Sequence, residues 1–389
     1  MAQDGVPDGR RIHEIDAVRG FALAGILVVN IEFFGDPGLL GSMTGGTGIG
    51  GGDHGPVQFV VQALFEFKFY VIFSFLFGYS FTLQMRSAER AGASVRARTL
   101  RRCLGLFVIG VLHGLLLWVG DILTLYAALG LVLLAARNIG ARAATIAATV
   151  LISLMSILVL LLAGLVALVP GPPATGADSA LAAETARILA ATTGGPLDYL
   201  GLHLTQYPRI AIMIWLLQGP MAMALFLLGL AAGKARLFDE PDRWAHLLAR
   251  VQWIGFGLGV PTGVFYAATS GQGDATELVA LALTLATSVF LSAAYVATLL
   301  RLIRRSPSVA GVLAPAGRMA ASNYVGQSVL LCLVFTGYGL GLMGRIPPLG
   351  VMGVAVVVYA VLLALSAWWL RGHRYGPVEY GLRRLTNWR

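Results

Sequence analysis

The stretch RRCLGLFVIGVLHGLLLWVGDILTLYAALG, Arg101 to Gly130, decides the fold. Two arginines open it, and an apolar run from 103 to 119 follows with His113 as its one histidine. Gly120 and Asp121 interrupt the pattern before a second apolar run begins at 122 and ends at 136. A helix rises about 1.5 Å per residue, so a run near 20 residues spans about 30 Å of hydrocarbon. Two such runs joined by a tight polar turn read as a transmembrane helical hairpin, because only a helix satisfies its own backbone inside lipid.

Working outward, the same pattern recurs at 15 to 35, 58 to 85, 143 to 169, 210 to 232, 251 to 269, 277 to 300, 319 to 341 and 349 to 370. The expectation is an all-α polytopic transmembrane bundle of ten spans, forming one integral membrane domain over 1–389. Apolar residues make up 57% of the 389, charged residues 12%, and mean hydropathy is +0.77. Such a chain has too little polar surface to cover a water-soluble globule, which excludes a soluble multidomain enzyme, a disordered regulator and a disulfide-built module. Glu66 and Lys68 interrupt the second run, so residues 58–69 are read as interfacial or re-entrant, with the crossing starting near Tyr70. Arg10 and Arg11 ahead of the first run resemble a signal peptide, but that run has span length and holds Asp16, Arg19 and Asn30. It is read as an uncleaved first helix.

Ten crossings put both termini on one side, and the basic residues say which. Of the 28 Lys and Arg, 23 fall before the first span, in alternate connections or after the last, among them Arg86 to Arg102, Lys234 to Arg250 and Arg301 to Arg318. The opposite connections carry Arg187, Arg209 and Arg345. By the positive-inside rule the basic side is cytoplasmic, residues 371–389 form a cytoplasmic basic tail, and 36–57 and 170–209 are outer connections. The net charge of +9 is thus spread over short loops, and no nucleic acid is expected as a partner. Cys103 and Cys332 lie at different depths and are not expected to pair.

An ionisable side chain inside a span costs roughly 2.5 kcal/mol or more, so each is a candidate for function. Asp16 and Arg19, three apart, read as an interfacial ion pair or as a polar wall facing an anionic ligand. Asn30 and Glu32 lie toward the outer end of the same span. His113 reads as a helix-packing hydrogen bond or as a general base, and Asp121 as a cap on the next helix or as the carboxylate that fixes the His113 tautomer across the turn. Asn323 and Gln327, four apart, read as interhelical hydrogen bonders or as the lining of a polar groove. Gly110 with Gly114 marks a small-residue packing face, and Pro261 with its neighbouring glycines a kinked helix. GTGIGG at 46–51 spells a dinucleotide fingerprint without a βαβ context, and Asp53, His54 and His203 lack metal-ligand spacing, so neither a nucleotide nor a metal is assigned.

The segments RIHEIDAVRGFALAGILVVN from Arg11, FKFYVIFSFLFGYSF, LHGLLLWVGDILTLYA, GRMAASNYVGQSVLLCLVFTGYGLGL and RYGPVEYGLRRLT together resemble the YeiB family of bacterial inner-membrane proteins. More distantly that group is similar to the transmembrane acyltransferases, which include heparan-alpha-glucosaminide N-acetyltransferase and the acyltransferase-3 proteins. The resemblance implies transfer from cytoplasmic acyl-CoA to an acceptor on the far side, with His113 supplying the base. The chain departs from the acyltransferase-3 pattern, in which a histidine follows the first-helix arginine, because none follows Arg19 in its helix.

The expected function is therefore an integral membrane acyltransferase of the bacterial inner membrane. His113 and Asp121 are its catalytic pair. Arg19, Arg101, Arg102, Arg318, Asn323 and Gln327 hold acyl-CoA as co-substrate, and Asn30, Glu32 and Tyr126 line the site of a lipid, glycan or small-molecule acceptor. The alternatives are a transporter or export factor for a lipid or small amphiphile, and a non-catalytic lipid-binding protein. Membrane lipids are partners in every case, and homo-oligomer formation is left open.

Overall fold

The computed structural model describes residues 9–45, 55–168, 177–238 and 244–387. Among them there is no strand. The helices are α1 (Gly9–Gly35), α2 (Pro37–Gly45), α3 (Pro56–Leu64), α4 (Phe69–Arg90), α5 (Val95–Leu116), α6 (Leu123–Ala135), α7 (Ala141–Leu168), α8 (Ala177–Thr193), α9 (Pro196–Lys234), α10 (Leu248–Thr269), α11 (Ala275–Arg305), α12 (Ser308–Arg318), α13 (Ala320–Phe335), α14 (Pro348–Gly372) and α15 (Pro377–Thr386). Seven segments are long and apolar enough to cross a membrane: His13–Gly35, Pro56–Arg90, Val95–Leu116, Ala141–Leu168, Pro196–Lys234, Ala275–Arg305 and Pro348–Gly372. Helices α6 and α13 are apolar but shorter.

The surface of α7 explains why such a chain needs lipid. Leu154, Leu158, Leu161 and Leu165 form an exposed stripe at helical spacing. Inside the bundle, small residues set the crossings. A Cβ on Gly78 of α4 would collide with the Phe226 carbonyl of α9, and one on Gly229 of α9 with the Phe75 carbonyl of α4. The two backbones therefore touch where these glycines face each other, as close helix pairs in membranes do.

Two elements differ from the reading of the chain, and the interruption expected at Glu66 and Lys68 is present as a break between helices. Helix α9 begins at Pro196, within the outer connection assigned to 170–209, and runs 39 residues. Its polar residues continue the helix because packing satisfies them: His203 Nδ1 donates to the Gly114 carbonyl at 3.0 Å, and Gln206 Nε2 to Glu184 Oε1 of α8 at 2.7 Å. Helix α12 occupies a stretch taken as loop. Its small residues Ala310, Ala314 and Gly317 are buried, and Gly317 lies directly against the Asp16 carbonyl of α1. The long second run breaks between α3 and α4, where Phe67 adopts φ 62° and Lys68, almost wholly buried, donates from Nζ to the Gln62 carbonyl at 2.9 Å. Cys103 and Cys332 are both free and buried.

Candidate functional site

Helix α5 starts with Ser94, whose side chain accepts from Ala97 N at 3.2 Å, and carries its basic residues in its first turns. Its last turn closes on His113, whose carbonyl accepts from both Leu117 N and Trp118 N at 2.9 Å. The chain then reverses and enters α6. Asp121 sits in that reversal, fully buried, and uses both carboxylate oxygens. Oδ2 accepts from Thr124 N at 2.9 Å and caps α6, while Oδ1 lies 3.0 Å from His113 Nδ1. One side chain thus both caps α6 and contacts the imidazole.

Gly110 makes this possible. A Cβ there would fall 2.8 Å from Asp121 Oδ2 and 2.7 Å from Thr124 N, so only glycine lets the turn fold back onto α5. One turn further, the absent side chain of Gly114 leaves room for the ring of Tyr207 from α9.

A carboxylate only accepts, so in the neutral imidazole that bonds to it the proton is on Nδ1 and Nε2 is an acceptor. That acceptor is occupied. Ser328 Oγ of α13 lies 2.8 Å from His113 Nε2, and in that tautomer the hydroxyl donates to it. Serine, imidazole and carboxylate therefore stand in line, all buried, drawn from α13, α5 and the turn before α6.

A cavity of about 650 Å³ opens at the basic end of the bundle and reaches toward this line. Its mouth lies among Arg98, Arg318 and Arg383, with Arg102 and Arg19 further in. Arg102 places its guanidinium 5.2 Å above the centre of the Phe77 ring. Arg19 donates to Asp16 Oδ1 at 2.7 Å and to Ser80 Oγ at 2.5 Å, and so is both the intrahelical pair and part of a polar wall. Deeper, Phe73, Leu76, Leu106 and Leu123 make the lining apolar, and Tyr126 and Tyr324 are its aromatic residues from α6 and α13. Tyr126 shares a 2.5 Å hydrogen bond with Ser74.

Several expected positions come out differently. His113 is only 2% exposed and does not line the cavity; Tyr324 stands between them, lining the cavity and lying 4.9 Å from the imidazole centroid. Asn323 and Gln327 do not line it either, because interhelical bonds use their amides. Asn323 Nδ2 donates to the Ala316 carbonyl and to Ser366 Oγ, and Gln327 Nε2 to the Leu23 carbonyl at 3.0 Å. Arg101, beside Arg102 but turned about 100° around the helix, is not on the cavity wall. Tyr126 joins the arginines' cavity rather than a separate outer pocket. Asn30 and Glu32 lie roughly 16 and 20 Å beyond Arg19 along α1, outside the cavity. His203 is held by the Gly114 carbonyl, while Asp53, His54 and the GTGIGG segment lie outside the described residues.

Sequence reading missed Ser328, and it took Arg98 and Arg383 only as orientation markers. The available signal for Ser328 was its place four residues after Tyr324, on one face of α13.

A family model described as a protein of unknown function (DUF418) matches residues 232–389. The chain is 30% identical to the uncharacterized protein YxaH of Bacillus subtilis over 97% of its own length and 94% of that protein's. It is 27% identical to the uncharacterized protein YeiB of Escherichia coli, over 96% and 95% of the two chains. The chain belongs to the YeiB-like family. A further relative of this YeiB-like chain, an uncharacterized 39.9 kDa protein in the amylase 3' region of Bacillus acidopullulyticus, is 28% identical over 97% and 94% of the two lengths. No solved structure matches.

Proposed function

We propose that this YeiB-like protein is an integral membrane acyltransferase of the bacterial inner membrane, taking acyl groups from acyl-CoA. Ten crossings with both termini in the cytoplasm put the cavity mouth on the side where acyl-CoA is made. The three additional crossings are α6, α10 and α13, and the clustering of arginine at one end of the bundle supports the orientation.

One observation carries the reading: a single cavity has an arginine-rich mouth and an apolar depth, and ends one side chain short of a buried His–Asp pair. Arg98, Arg102, Arg318 and Arg383 match phosphates, for which the guanidinium fork is suited. Phe73, Leu76, Leu106 and Leu123 match an acyl chain. Asp121 holds His113 in the tautomer whose Nε2 takes a proton, so His113 serves as the base that activates an acceptor hydroxyl or amine. The acceptor is a lipid, glycan or small molecule reaching His113 from the opposite side, past Asn30 and Glu32. Purified protein in nanodiscs should release free thiol from acetyl-CoA or a longer acyl-CoA when acceptor is supplied. Wild-type turnover by His113→Ala sinks the assignment.

A second reading, export of a lipid or small amphiphile, draws on the helix break at Phe67 beside buried Lys68, since broken helices mark the sites of transporters. Movement of a labelled lipid in proteoliposomes without any acyl donor favours it.

A further inference from the structure

We infer that Ser328 is an acyl-accepting nucleophile, so that transfer passes through a covalent ester on α13. This rests on the acyltransferase reading above and adds to it a residue and a two-step course.

The geometry is specific. Ser328 Oγ is 2.8 Å from His113 Nε2, His113 Nδ1 is 3.0 Å from Asp121 Oδ1, and Asp121 Oδ2 is fixed by Thr124 N. These are the relations by which a base activates a hydroxyl and a carboxylate orients the base. A packing serine in a membrane helix has a cheaper partner in its own backbone carbonyl, as Thr336 shows by bonding to the Cys332 carbonyl four residues back. The Ser328 hydroxyl instead crosses to another helix and meets the one ring nitrogen that can take its proton.

Approach also favours Ser328. Ala320 and Tyr324 line the cavity, and Ser328 continues their face of α13 one turn deeper. Tyr324, which lines the cavity and lies 4.9 Å from the His113 ring, is the cavity residue one turn before the serine. Cys332, the next residue on that face, is turned to the Leu117 carbonyl, to which its thiol donates at 3.3 Å.

The chemistry balances without further reactants. Ser328 Oγ attacks the thioester carbonyl as His113 Nε2 takes the hydroxyl proton. The tetrahedral adduct collapses with cleavage of the C–S bond, and the imidazolium returns that proton to the departing thiolate. An acceptor hydroxyl or amine then attacks the Ser328 ester while His113 takes its proton. The C–O bond to Ser328 breaks, and the serine oxygen recovers its proton from His113.

The test is acid-quench trapping with radiolabelled acetyl-CoA and palmitoyl-CoA in the absence of acceptor, on full-length protein in nanodiscs. The expected result is label that survives denaturation and neutral hydroxylamine, as an oxygen ester does, and maps to Ser328. It is absent in Ser328→Ala, and it becomes hydroxylamine-labile in Ser328→Cys, a variant that also checks folding. Label on Cys332, or Ser328→Ala turning over acyl-CoA at the wild-type rate, overturns the covalent step while leaving acyl transfer standing. If wild type consumes no acyl-CoA at all, an alkyl fluorophosphonate separates the two ideas. Its attachment to Ser328, lost in His113→Ala, supports the nucleophile and discards the donor. Failure to label either wild type or Tyr324→Ala overturns the nucleophile.

Discussion

The rings of Tyr324 and His113 lie 4.9 Å apart between centroids, tilted by 41°, with the cavity on one side and the buried Ser328–His113–Asp121 line on the other. The Tyr324 hydroxyl accepts from Ile122 N at 3.4 Å, which ties the ring to the turn that carries Asp121. Tyr324 therefore borders the cavity and is fastened to the turn beside His113.

Removing the Tyr324 ring should open the cavity toward His113. Tyr324→Ala is expected to raise the rate at which diethyl pyrocarbonate modifies His113 from the aqueous side by at least tenfold, read by mass spectrometry. The lost ring costs about 3–5 kcal/mol, so the comparison is made at low temperature where the variant stays folded. An unchanged rate shows that water reaches His113 by some other path or not at all.

Asp121→Asn keeps an oxygen for Thr124 N but places an amide where a charged acceptor faced His113 Nδ1. Loss of the favoured tautomer in a Ser-His-Asp arrangement lowers turnover by about 10⁴ with the fold intact. Acyl-CoA turnover in Asp121→Asn should fall by that order while its thermal midpoint stays within a few degrees of wild type. A fall in midpoint that accounts for the whole loss assigns Asp121 to capping alone.

Gly110→Ala introduces a Cβ against Asp121 Oδ2 and the Thr124 backbone, neither of which is the free end of a flexible chain. Overpacking of this kind costs about 1–3 kcal/mol. Both midpoint and turnover should drop. Gly257→Ala, on α10 with open space around it, should be neutral or slightly stabilising, since alanine favours a helix by about 0.5–1 kcal/mol over glycine.

Glu379 fastens the tail. Its Oε1 accepts from Ala321 N at 2.7 Å and Ser322 N at 3.0 Å, and its Oε2 from the Ser322 hydroxyl, holding α15 to the first turn of α13 beside the cavity mouth. Charge-assisted bonds contribute about 1.5–3 kcal/mol each at most, and partial exposure lowers the figure. Glu379→Ala should speed tryptic cleavage at Arg383 and Arg384 several-fold. Cleavage at the wild-type rate means that the apolar contact of Leu382 with α5 suffices.

The arginines at the mouth give a salt-dependent prediction. Replacing Arg102 and Arg318 together by Gln should weaken CoA binding about tenfold or more at low salt, tenfold being about 1.4 kcal/mol. Raising ionic strength to about 0.15 M shortens the screening length to about 8 Å and should weaken wild type more than the double variant. Equal salt dependence in calorimetric titrations places the phosphates elsewhere.

The apolar runs, the helical hairpin at Arg101 to Gly130 and the gathering of arginine into alternate connections were legible from the chain, because lipid imposes its demand locally on every stretch of about 20 residues. Proximity of His113 and Asp121 was legible as well, since eight residues with a glycine-flanked turn leave few other arrangements. What lay beyond reading was α12, whose alanines and glycines carry no strong hydropathy signal, and the start of α9, whose polar residues are satisfied only by α5 and α8.

Ser328 marks the boundary between the two kinds of information. By itself the chain determined that a histidine is buried in a span and that a carboxylate follows it at the turn. Only the packing of α13 onto α5 decided that the free imidazole nitrogen meets a serine 215 positions away, and that the cavity stops one ring short of it. Hydrophobicity acts along the sequence and leaves a periodic trace. A hydrogen bond between two helices depends on their crossing and rotation, which are set by many small contacts at once; either helix alone shows only which residues share a face.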